Sequence, residues 1–216
     1  LKKMQKTDDD KKKVSIIEKA IQLISDEKKI LGNLDKEEIN YLNTYQLIST
    51  KPVVYICNVD ENSALSGNEF TKKIDTYAKE NNSEVLLISA KIESEISQIT
   101  DIKDKQDFLE SMGLKETGLK RVIKKGYEIL NYINYFTAGE KELRAWTIIK
   151  GTLAPSAAGT IHSDMEKGFI RAETISFNDY LSHQGEAGAK EKGKLRLEGK
   201  EYEVKDGDIM HFLFNV

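Results

Sequence analysis

Two short apolar runs, each leading straight into a polar loop, constrain this chain more than any other feature. The first is Lys51-Pro52-Val53-Val54-Tyr55-Ile56-Cys57-Asn58-Val59-Asp60-Glu61. Val53 to Cys57 is unbroken apolar sequence, the pattern of a parallel strand covered on both faces. Pro52 fits only at the start of that strand, because it has no N–H to give to a ladder. The second is Glu84-Val85-Leu86-Leu87-Ile88, followed by Ser89-Ala90-Lys91. Between them, Asn68 to Asn81 predicts a helix with Phe70, Ile74, Tyr77 and Ala78 on one face. Strand, helix and strand in alternation form the α/β signature. Both polar loops then lie at the carboxyl ends of parallel strands, where open α/β sheets bind ligands.

The flanks are of a different kind. Residues 1 to about 31 predict one long charged helix, with Val14, Ile17, Ile21, Ile24 and Leu31 on a stripe widened by Ile16, Ala20 and Leu23. Asp8-Asp9-Asp10 followed by Lys11-Lys12-Lys13 reads as a loop tip between two helices. Gly32-Asn33 ends the segment, and Asp35 with Glu38 starts a second helix through a capping box, carrying Ile39, Leu42, Tyr45 and Ile48. An ordinary helical layer and a projecting coiled-coil arm both fit this pattern. The apolar rhythm is already running at Leu1, with no initiator Met, so an internal edge rather than a natural terminus is expected there.

Further along, Phe108 to Gly113 predicts a helix closed by glycine. Leu119, Val122, Ile123, Gly126, Tyr127, Leu130 and Ile133 predict a longer helix up to about Tyr135. From Phe136 short strands take over: Arg144 to Ile149, Phe169 to Ile175, Lys194 to Glu198, Tyr202 to Val204 and Ile209 to Phe214. A helical piece is expected over Ala157 to Met165, completing a small α+β domain. The expected divisions are therefore a helical arm over 1–49, an α/β part with a linking helix over 50–135, and the α+β domain over 136–216.

Net charge is only −3 in 216 residues, so any contact with nucleic acid must come from a local patch. No apolar run reaches the ~18 residues of a membrane span, and no signal-peptide pattern is present. The single Cys57 excludes an internal disulfide and fits a reducing cytosol, so a cytoplasmic protein is expected. Its place inside an apolar strand favours inert packing over nucleophilic chemistry.

The two strands with their loops resemble the base-recognition half of a P-loop nucleotide-binding domain. P-loop GTPases read guanine with Asn-Lys-x-Asp, whose carboxylate accepts the two donors of the guanine edge. Here Val59 stands at the Lys position and Glu61 at the Asp position. A side chain one methylene longer cannot take the same bidentate pose, so guanine preference should weaken. Asn58 can serve the adenine amino group, and Ser89-Ala90-Lys91 supplies a second loop to the base edge.

Thr50 to Glu61 resembles the YchF family of Obg-related P-loop proteins, also called EngD. The similarity is densest later, over Tyr135-Phe136-Thr137-Ala138-Gly139-Glu140-Lys141-Glu142-Leu143-Arg144-Ala145-Trp146-Thr147, Ala154 to Glu173, and Leu195 to Val216. That region resembles the family's TGS domain, a β-grasp module. The resemblance implies a partial Ras-like P-loop sheet, a coiled-coil arm over residues 1 to about 49, and an ATP-preferring nucleotidase associated with the ribosome or its RNA. GTP would be used more weakly, and the protein is expected to be monomeric and away from membranes. By the same match Asn58, Val59, Glu61, Ser89, Ala90 and Lys91 are base-binding positions. The family's phosphate loop, switch regions and Asp-x-x-Gly are expected upstream of Leu1, together with the Mg²⁺ site. The chain as given is therefore expected to hold no catalytic or metal-ligating residue, and to be inactive alone. A non-catalytic RNA- or ribosome-binding module is the alternative.

Gly188-Ala189-Lys190-Glu191-Lys192-Gly193-Lys194-Leu195 nearly spells a phosphate loop. Leu195 replaces the Ser or Thr that holds Mg²⁺, and a strand rather than a helix is expected to follow, so it reads as a flexible basic turn. His162, Asp164 and Glu166 do not share one helical face, and capping or surface roles outweigh metal binding. Lys190, Lys192, Lys194, Arg196 and Lys200 form the best basic patch, fitting both phosphate contact and a solvated loop. Lys2, Lys3, Lys6 and Lys11 to Lys13 form a second, offset by Asp8 to Asp10.

Overall fold

The computed structural model describes residues 7–139 and 142–215, and the chain divides into two compact units at Ile123/Lys124. Lys2, Lys3 and Lys6 of the second basic patch lie outside the described residues.

The first unit opens with α1 (Asp8–Ser25), set by local chemistry. The Thr7 side chain accepts from Asp10 N while Asp10 accepts from Thr7 N, and three aspartates complement the positive end of the helix. Asp8 to Asp10 are thus a capped first turn, not the loop tip expected. α1 also stops short of residue 31. Glu27 adopts φ 57° and Gly32 φ 90°, so the chain turns there rather than continuing as helix. α2 (Lys36–Asn43) starts at the Asp35/Glu38 capping box that the sequence predicts. Ile16, Ala20, Ile30 and Leu42 bury the seam between the two helices. Tyr45 and Ile48 fall beyond α2 and are exposed.

β1 (Val54–Asn58) and β2 (Glu84–Ile88) pair in parallel, from Val54↔Glu84 to Asn58↔Ile88. α3 (Glu69–Glu80) crosses between them, capped by Asn68, whose side chain accepts from Phe70 N and Thr71 N. The expectation of full cover for β1 is corrected. Val53 is 39% and Ile56 48% exposed, because among the described residues no further strand joins this pair. α4 (Ala90–Gln98) and α5 (Ile102–Ser111) then build a small core from Ile92, Ile96 and Leu109 with Ala64 and Leu114. Gly113, at φ 69°, follows α5 as its glycine stop.

α6 (Gly118–Ile129) ends earlier than predicted. Asn131 takes a left-handed φ of 54°, and Tyr132 to Tyr135, expected in the helix, open β3 (Tyr132–Ala138). Leu130 and Ile133 keep a helical spacing by coincidence. The deciding contacts are non-local, through pairing with β4 (Leu143–Ile149).

The second unit continues with α7 (Ala154–Ile161), α8 (Ser163–Lys167), β5 (Phe169–Ser176), α9 (Phe177–Ser182), α10 (Glu186–Glu191), β6 (Arg196–Glu198) and β7 (Asp208–Phe214). Its sheet has the order β4-β3-β7-β5-β6, with β3 and β7 parallel and the other pairs antiparallel. Ala154, Ala157 and Ala158 are fully buried, and such small side chains let α7 approach the sheet closely. The Phe212 ring lies edge-on to Tyr135 and Phe169 at 5.7 and 6.2 Å. The predicted helix over Ala157 to Met165 is two helices, broken at His162 in extended backbone. Tyr202 to Val204 forms a single bridge, Leu153↔Glu203, rather than a strand.

Candidate functional site at the carboxyl ends of two parallel strands

The parallel register sets Asn58 beside Ile88, so the two polar loops emerge together. Val59 N–H extends the ladder by donating to Ile88 O at 2.8 Å, and the Val59 side chain is buried. Val59 therefore shapes the loop from beneath. Ser89 is the N-cap of α4 and Ala90 and Lys91 lie in its first turn, rather than in the second loop expected; Asn58 Oδ1 accepts from Ala90 N at 2.9 Å, tying the first loop to that turn across 32 residues. Only an oxygen can accept that N–H, which fixes the amide's orientation. Its Nδ2 donor is thereby left toward solvent, with no protein partner among the described residues.

Asp60 turns inward on its own loop. Its Oδ1 accepts from Ser63 N at 2.9 Å and caps a short 3₁₀ turn over Glu61–Ser63. Glu61 is free to reach outward, and its Oε1 lies 2.5 Å from Lys91 Nζ. The hydrogen bond and charge of Glu61 hold the Lys91 ammonium above its ordinary range. Ser89 is 4% exposed, caps α4 without a side-chain bond, and its Oγ has no partner among the described residues. A buried hydroxyl without a partner carries a desolvation cost that a ligand can relieve. All six expected base-site residues thus come together: Asn58, Glu61, Ala90 and Lys91 at the surface or rim, Val59 and Ser89 beneath.

Sequence reasoning missed Glu93. From the first turn of α4 its carboxylate accepts from Gly118 N at 2.6 Å and Leu119 N at 3.1 Å, capping α6. Its signal, an acid two residues past Lys91, names no target, because that target lies 25 residues on.

The second candidate patch is divided. Lys190, Lys192 and Lys200 are exposed, while Lys194 pairs with Asp179 at 3.5 Å. Arg196 turns into a half-buried network. It donates to Glu198 at 2.8 Å and to Tyr202 Oη at 3.0 Å, while Tyr202 donates to buried Asp208 at 2.6 Å. Burial and that bond to Asp208 push the Tyr202 phenol up. The expected flexible basic turn is corrected as well. Gly188 to Glu191 lie in α10, and a Cβ at Gly188 would meet His183 O at 2.0 Å, so glycine there serves close packing. Here the helix precedes the second glycine, the reverse of a phosphate loop. His162 Nδ1 accepts from Asp164 N and Glu166 accepts from Ser156 Oγ, so these residues are local caps and ties. Among the described residues no group of three His, Cys, Asp or Glu can hold a metal ion.

Residues 132–215 match the family model described as YchF-GTPase_C, protein of unknown function. The chain is 46% identical over 209 residues to the ribosome-binding ATPase YchF of Haemophilus ducreyi, covering 96% of this chain and 57% of that one. It is 51% identical over 183 residues to the ribosome-binding ATPase YchF of Bacillus subtilis, covering 84% and 50%. The chain belongs to the YchF family. The solved Schizosaccharomyces pombe YchF GTPase superposes with a TM-score of 0.81 at 33% identity, over 94% of this chain and 55% of that one. The chain therefore spans about half the length of the YchF relatives it matches. No helix among the described residues is long and apolar enough to cross a membrane.

Proposed function

We propose that this chain supplies the base-binding end of a nucleoside triphosphate site, and a second unit of TGS type, to a longer ribosome-associated YchF ATPase. One observation carries the reading: Asn58, Glu61 and Ser89 to Lys91 converge at the carboxyl ends of two adjacent parallel strands, tied by the Asn58–Ala90 hydrogen bond. The exposed Asn58 Nδ2 donor is suited to an acceptor on the polar edge of a purine. The names of the relatives support ATP hydrolysis and ribosome binding for the longer protein, and the α1–α2 hairpin is our candidate for the arm.

Hydrolysis needs groups that cradle phosphates and a cation. The sequence contains no Gly-x-x-x-x-Gly-Lys-Ser/Thr. The chemistry of this stretch is therefore binding: it orients the base and excludes the wrong one. The same lack favours a second reading, in which the 216 residues by themselves act as a non-catalytic binding module.

The test uses a chain of the full YchF length carrying this sequence. Such a protein is expected to bind and hydrolyse ATP, whereas residues 1–216 alone show no turnover. Asn58→Ala removes both the loop tie and the Nδ2 donor, so ATP and GTP affinity should fall together by about tenfold, the cost of one well-made polar contact to a ligand. Unchanged affinity for both nucleotides would remove Asn58 and its loops from the site.

A further inference from the structure

The Watson–Crick edges of the two purines differ where a carboxylate would face them. Guanine presents two adjacent donors, N1–H and the 2-amino group. Adenine presents the N1 lone pair beside its 6-amino group. A carboxylate lying in the base plane gains two hydrogen bonds from guanine and is repelled by adenine N1. Selectivity in such a site depends on where its carboxylate is held.

The groups at these loops are already divided by task. Asn58 Oδ1 is committed to Ala90 N–H, and its remaining Nδ2 donor suits N7, which both purines carry. Asp60 is committed to its own turn through Ser63 N. Ala90 carries only a methyl group, with no polar atom to discriminate with, and the Val59 side chain is buried. The Ser89 hydroxyl is buried beneath the loop, so Glu61 and Lys91 remain, and they hold each other at 2.5 Å. The extra methylene of Glu61, compared with an aspartate, carries its carboxylate across to the first turn of α4.

We infer that Lys91 is a positioning residue for purine selectivity: by pairing with Glu61 it holds the carboxylate off the base edge, which disfavours guanine and spares adenine N1. This rests on the nucleotide-site reading above. It assigns the preference to the pair, not to the length of Glu61 alone. Lys91 is largely exposed and Glu61 about a third exposed, so the effect is modest. An ion pair of this exposure biases an equilibrium by about two- to fivefold.

The experiment measures ATP and GTP dissociation constants by competition on the full-length protein. Lys91→Met should raise GTP affinity relative to ATP by about two- to fivefold. Lys91→Arg, which keeps the charge, should hold the wild-type ratio. In a Glu61→Gln background, Lys91→Met should no longer move the ratio, because the carboxylate it positioned is gone. Added salt should erode the wild-type selectivity and leave that of Lys91→Met flat, a response that a purely structural lysine would not give. A ratio unmoved by Lys91→Met overturns the inference. So does a shift that survives in Glu61→Gln, since Lys91 would then act on the base directly. If the unaltered full-length protein binds neither nucleotide, the base-site reading itself falls. Binding with an unmoved ratio removes only the role of Lys91.

Discussion

At the scale of the residue, the second unit depends on a few positions with no slack. Tyr135 is fully buried, donating to Ala157 O at 2.9 Å and lying 3.0 Å from Thr160 Oγ1. Burial pushes its phenol up to about 12, against about 10 in an unfolded chain. The raised value belongs to the folded state, so the protonated phenol's contribution is whole below pH ~10 and is lost as pH climbs toward ~12. Denaturant titrations between pH 8 and pH 11.5 should show stability falling across that window. Tyr135→Phe has no phenol to titrate there, so its loss should be smaller by about 2 kcal/mol or less. Tyr202 is raised as well and titrates in both proteins, so the difference between them isolates Tyr135. Gly168 is constrained by space alone. A Cβ would stand 1.7 Å from the Asn215 carbonyl oxygen, and the backbone cannot yield as a flexible side chain would. Gly168→Ala should cost about 1–3 kcal/mol, the range for overpacking, read as a lower thermal midpoint. An unchanged midpoint would mean that the end of β7 is loose.

At the scale of the element, caps and stops decide where pieces begin and end. Glu93 presents two carboxylate oxygens to the first amides of α6, combining a charge-assisted hydrogen bond with the favourable end of the helix dipole. Glu93→Ala should destabilise the protein by about 1 kcal/mol or somewhat more, and Glu93→Gln by less. Hydrogen exchange should report the loss at the Gly118 and Leu119 amides first, and equal protection in both variants would refute the capping role. This contact also shows what a sequence can and cannot disclose. The Asp35/Glu38 box and the Gly113 stop were legible because their signals sit within one turn of chain. So was the meeting of Asn58, Glu61 and Ser89 to Lys91, because parallel strands bring their carboxyl ends together. The switch from α6 to β3 was hidden, since Tyr132 to Tyr135 satisfy either period and only pairing with β4 chooses. α10 was hidden behind glycines and lysines that suggest a turn, while its fit rests on the close approach of Gly188 to His183. The Glu61–Lys91 pair and the reach of Glu93 depend on side-chain direction, which spacing does not encode.

At the scale of the whole molecule, charge sets the terms of any contact with RNA. A net charge of −3 over these 216 residues gives no general attraction, so the ribosome association proposed above would have to run through a local surface. The structure narrows the sequence's basic patch to its free members. Arg196 is taken up by Glu198, Tyr202 and Asp208, and Lys194 by Asp179, which leaves Lys190, Lys192 and Lys200 exposed on α10 and the loops around β6. If those three neutralise phosphates, replacing them with alanine should weaken ribosome association at low salt. It should also flatten the dependence of log K on log salt by about 2–3 units, near 0.7–0.9 per lost contact. Arg196→Ala should behave differently. It leaves the salt slope where it was and lowers the stability of the second unit, because Asp208 is buried and loses a partner. Sedimentation with ribosomes over a salt series distinguishes the two. A slope untouched by the triple change would move the contact off this surface and onto the α1–α2 hairpin, where Lys11 and Lys13 already pair with Asp8 and Asp9 and would have to exchange those partners for phosphate.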